Sequence, residues 1–104
     1  MKGSPALRVV IAIALPEPMM KSLVFERGLN LGGEHVVLSL FQTARGFSLE
    51  RRLIERDQTA SVQVLPISAL GDLHRFADAD PYSEELAPLY YEVRRHLVEN
   101  RVAE

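Results

Sequence analysis

From Leu7 to Leu15 the chain reads Leu-Arg-Val-Val-Ile-Ala-Ile-Ala-Leu, a stretch rich in β-branched residues. As a strand it projects Val9, Ile11, Ile13 and Leu15 to one face and Val10, Ala12 and Ala14 to the other. Both faces are apolar, so the segment is expected as a central strand covered on two sides, or on one side plus a partner. It falls far short of the roughly 20 apolar residues that span a membrane. Lys2, Arg8 and the triplet Ala12-Ile13-Ala14 imitate a secretory signal, but the cleavage-like triplet lies inside the apolar run, not after it. Neither secretion nor membrane insertion is expected, and a cytoplasmic location is.

A length of 104 residues suits a single domain over 1–104, with 1–6 a loose leader containing Gly3, Ser4 and Pro5. There is no cysteine, which excludes disulfides, thiolate metal sites and cysteine nucleophiles. The net charge of −2 offers no basic field for a phosphate backbone. The densest basic group, Arg51, Arg52 and Arg56, is interleaved with Glu50, Glu55 and Asp57. It reads as a solvated helix face, not as a nucleic-acid stripe.

Beyond the first strand, Pro16-Glu17-Pro18 predicts a helix start, with Met20, Leu23 and Val24 as its apolar stripe and Gly28 as its stop. Asn30 to Gly33 predicts a turn. His35 to Phe41 predicts a second strand, with Val36, Leu38 and Leu40 on one face and His35, Val37, Ser39 and Phe41 on the other. Ser48 predicts a cap for a short helix reaching Asp57, with Leu49 and Leu53 inward. Val62, Val64 and Ile67 predict a third strand, and Leu73 to Ala79 a weakly alternating fourth. Leu86, Leu89, Tyr90, Val93 and Leu97 share one face of a closing helix, with Pro88 in its first turns and Arg94, Arg95 and His96 near its end. The fold class expected is α+β: a small layered domain with a mixed or antiparallel sheet of about four strands and helices packed on it. A flavodoxin-like parallel sheet is the competing topology.

Few residues offer chemistry. His96 suits a helix end and His74 a strand flank, whereas His35 shares a strand face with Val37 and Ser39, where a neutral imidazole could exchange protons. Asp78, Asp80, Glu84 and Glu85 could hold a hard cation, but acids ahead of a helix are also explained by its dipole, and no calcium-loop spacing is present. Gly28, Gly32 and Gly33 follow a predicted helix and precede a strand, the reverse of a phosphate cradle. No metal site and no cofactor is expected.

Two segments resemble the 2H phosphoesterase superfamily, which includes 2'-5' RNA ligase-like proteins. Arg8-Val-Val-Ile-Ala-Ile-Ala-Leu-Pro-Glu-Pro18 is similar to that family's opening strand, and Glu34-His-Val-Val-Leu-Ser-Leu-Phe41 to its His-x-Thr/Ser strand. Ser83 to Tyr90 looks like the helix that follows the first lobe. The resemblance implies that His35 is a catalytic acid/base and that Ser39 binds phosphate oxygens. This chain departs from the pattern in two ways. Position 37 is Val, and no second motif exists, since His74 precedes Arg-Phe and His96 precedes Leu-Val. It therefore resembles a single lobe or a degenerate relative. The expectation is an interaction or dimerisation module without ordinary two-histidine catalysis, either a homodimer or the binder of a protein partner. The alternative is a phosphodiesterase, or a domain binding a nucleotide or cyclic phosphodiester, active only as a dimer.

Overall fold

The computed structural model describes residues 21–104. The apolar run Leu7 to Leu15, the loose leader 1–6 and the Pro16-Glu17-Pro18 helix start all lie outside the described residues.

Four ten-residue strands, β1 (Ser22–Leu31), β2 (Glu34–Thr43), β3 (Gly46–Glu55) and β4 (Gln58–Ile67), form an antiparallel meander in the order β1-β2-β3-β4. Two helices follow, α1 (Leu70–Ala79) and α2 (Ala87–Glu99). The α+β class is as the sequence predicts, and of the mixed or antiparallel sheet left open the described strands form the antiparallel one; they are not the flavodoxin-like parallel sheet.

Each hairpin closes through two residues, which fixes the strand register. Gly32 enters the first turn at φ 73°, a conformation glycine adopts without a Cβ penalty. The third turn places Arg56 at φ 52° and Asp57 at φ 64°, the two positive angles of a type I′ turn, here without any glycine.

Val36, Leu38 and Leu40 of β2 point towards the helices and are fully buried, as the alternation of that strand predicts. Across the ladder Leu40 faces Phe25 and Leu49, and Val36 faces Leu29 and Leu53. Leu73, Leu86, Val93 and Leu97 close the core from above. The helices therefore cover one face of the sheet, and neither covers the other.

Three segments differ from the sequence reading. Residues 22–31 are strand β1, not the end of a helix stopped at Gly28. Phe25, Leu29 and Leu31 alternate inward and pair with β2, and a bulge between Leu23 and Phe25 disguises that period as helical spacing. Residues 46–55 are strand β3, not a capped helix. Leu49 and Leu53 are four apart, a separation that puts residues on one face in either structure, and the Arg51 between them hides the alternation Phe47-Leu49-Arg51-Leu53. Residues 70–79 are helix α1, not a fourth strand. Leu70, Leu73, Phe76 and Ala77 form its inner stripe. The Asp72 carboxylate accepts the Ser68 and Ala69 amides at 2.8 and 3.1 Å, which fixes its first turn. Helix α2 and strand β4 follow the prediction, and Pro88 sits in the first turn of α2, where no backbone bond is lost.

Candidate functional site

The sheet face turned away from the helices, uncovered among the described residues, is built by cross-strand rows. Asn30, His35, Ile54 and Thr59 form one row, and Gly28, Val37, Arg52 and Val62 the next. Glu26, Ser39, Glu50 and Val64 follow, then Leu23, Phe41, Ser48 and Pro66. His35 and Ser39 do share this face, as their strand parity predicts. They stand four residues apart, about 13 Å along the strand, with Val37 between them.

Ser39 is 1% exposed, and its hydroxyl is already committed. It donates to Glu26 Oε2 at 2.6 Å, and Arg52 Nη2 reaches both that carboxylate, at 3.2 Å, and Ser39 Oγ, at 3.5 Å. Lys21 completes the polar part of the face, bonding Glu50 at 3.1 Å while its ammonium lies 4.3 Å from the Phe41 ring centre.

His35 lies across β1. A Cβ built on Gly28 would come within 2.6 Å of its Nε2, so Gly28 serves the strand by leaving room for this imidazole. The ring borders a concavity of about 440 Å³ shared with Asn30, Glu34, Ile54 and Arg56. His74 and His96 belong to the helix layer, on the far side of the sheet. His74 Nε2 accepts from Arg94 Nε at 3.3 Å, and the His96 ring rests 5.3 Å from that of Phe25. Within one chain, then, no second histidine joins His35.

Two polar clusters escaped the sequence reading. Arg51, which the sequence places on a solvated helix face, is instead on a strand and buried beneath α1 and α2. Its Nε and Nη2 donate to the two Asp80 carboxylate oxygens at 2.7 and 2.8 Å. Asp80 also accepts the Tyr90 hydroxyl at 2.6 Å and the Tyr82 amide at 2.9 Å. Burial opposes the Asp80 charge, but the Arg51 and Tyr90 hydrogen bonds outweigh it and hold the carboxyl below its ordinary range. Burial and the bond to Asp80 push the Tyr90 hydroxyl upward. Every strong group here is satisfied within the protein, so the cluster ties the helices to the sheet and leaves nothing for a ligand.

The second cluster sits at the sheet end, where register sets Glu34 opposite Glu55. The Tyr82 hydroxyl donates to Glu34 and lowers its carboxyl, while the hydrogen bond and charge shared with Glu34 raise that of Glu55. Among the described residues no three His, Asp or Glu side chains converge as metal ligands, and no helix is long and apolar enough to cross a membrane.

These features define a class: a four-strand antiparallel meander with two helices on one face and a mixed apolar and polar surface on the other. Compared with family models, curated proteins and solved structures, the chain matches none.

Proposed function

We propose that the chain is a cytoplasmic interaction module that works by self-association, without two-histidine catalysis. The observation that carries this reading is the composition of the uncovered face. Leu23, Val62 and Val64 are 51%, 50% and 58% exposed there, beside the half-buried Val37, Phe41 and Ile54. Large aliphatic side chains gathered on one face of a small chain mark a surface that binds protein. Ser39 is consumed by Glu26 and Arg52, which removes the hydroxyl that the 2H resemblance would set on a phosphate. Under this reading the kinship is that of a lobe keeping the strand and not the chemistry.

The second reading is a nucleotide- or cyclic phosphodiester-binding domain, with His35 as acid/base in a dimer. It draws on the concavity beside His35, where Arg56 could meet a phosphate. Light scattering and an assay on 2',3'-cyclic nucleotides decide between them. The first reading expects a dimer of the 11.7 kDa chain with no turnover. Turnover that disappears in His35→Ala would replace it with the second.

A further inference from the structure

The two edges of the sheet are built differently. The β1 edge carries Glu26 and Arg27 and is broken by the bulge at Leu23/Phe25, devices that discourage another strand from pairing there. The β4 edge has its own interruptions, the register shift opposite Leu53/Ile54 and Pro66, but they lie towards its ends and no charge stands between them. From Gln58 to Ile67 it reads Gln-Thr-Ala-Ser-Val-Gln-Val-Leu-Pro-Ile, without a charged residue, and every side chain from Gln58 to Val64 is exposed. Among the described residues β3 is its only neighbour.

The free hydrogen-bonding groups of this edge can be assigned. Pro66 pairs with Ser48 and has no N–H, so it occupies a position whose amide side faces away from β3. Val64 and Val62 share its parity, so their N–H and C=O groups also face outward. The register shift opposite Leu53/Ile54 leaves Ala60 as the extra residue and ends the regular edge at Ser61. What remains is a short, uncharged ladder, Ser61–Leu65, bounded by the Ala60 bulge and Pro66.

Resting on the self-association reading, we propose that β4 pairs antiparallel with β4 of a second copy about a twofold axis at Gln63. In this register Val62 bonds Val64 of the second copy and the reverse, so each outward group meets its complement. Val62 and Val64 of both copies then join in one cluster on the open face, which covers side chains now half exposed. No charge of either copy opposes another along the ladder. Two sheets become one of eight strands. The two β2 strands are then separated by five strand spacings, about 24 Å, so the two His35 rings do not meet across a cleft.

Because the chain has no cysteine, Gln63→Cys introduces a lone thiol on the axis. Facing residues at such a non-hydrogen-bonded pair have Cα atoms about 4.5 Å apart, within reach of a disulfide. Under mild oxidation Gln63→Cys is expected to give a disulfide-linked dimer, and Asn30→Cys on the β1 edge is not. Val62→Pro removes only an outward N–H, and Val62→Lys adds a charge to the edge. Both are expected to be monomers by light scattering across a concentration series, with wild-type circular dichroism. If Val62→Pro fails to fold, Val62→Lys decides. A wild-type dimer that both variants leave intact overturns the β4 edge while the self-association reading survives. A wild type that stays monomeric at every concentration overturns both.

Discussion

Asp80 joins three parts of the molecule, because Arg51 comes from β3, Tyr90 from α2, and the Tyr82 amide from the turn between the helices. Asp80→Ala strands the Arg51 guanidinium in an apolar setting and is expected to cost about 3–5 kcal/mol. Tyr90→Phe loses one bond to a charged acceptor, about 1.5–3 kcal/mol. Urea unfolding checks both, and equal losses would deny Asp80 its central place. The Asp80 carboxyl is held low in the folded state, so its contribution is complete above the ordinary aspartate range near 4. It is lost as pH falls through the depressed folded value, and thermal midpoints are expected to drop there. Glu55 has the opposite sign. Its raised carboxyl faces Glu34, so Glu55→Gln is expected to raise the midpoint slightly at pH 7, with the gain vanishing in acid. Local sequence gave no sign of either cluster: Asp80 sits among Asp78, Glu84 and Glu85, and only the folded chain sets it apart from them.

At the scale of elements, legibility followed the strength of the local period. β2 alternates cleanly and α2 keeps Leu89, Tyr90, Val93 and Leu97 on one stripe with Leu86 at its N-cap, and both appear where the sequence puts them. In β1 and β3 a bulge and an inward arginine, respectively, break the alternation and leave spacings that a helix satisfies equally well. Tertiary pairing across two-residue turns settled the matter. The third of those turns holds non-glycine residues at positive φ. Replacing Arg56-Asp57 by Asn-Gly relieves the left-handed backbone cost of two side-chain-bearing residues, offset in part by glycine's added chain entropy, and is expected to stabilise the protein by about 1 kcal/mol. A lower urea midpoint would show that the Arg56 side chain contributes more than its backbone costs.

For the molecule as a whole, the sequence indicated the class of fold and the shared face of His35 and Ser39. It did not indicate that the face is left uncovered by the helices, or that β4 forms an uncharged edge of the sheet among the described residues. Those properties depend on strand order, which no local pattern records. The proposed self-association rests on them, and the outward amides of Val62 and Val64 report on it directly. Amide hydrogen exchange at those two residues, followed across protein concentration, is the sharpest measurement. The account predicts fast exchange in dilute solution and protection that grows as the chain is concentrated. Exchange that stays fast at every concentration would contradict it, and so would protection already complete in the monomer.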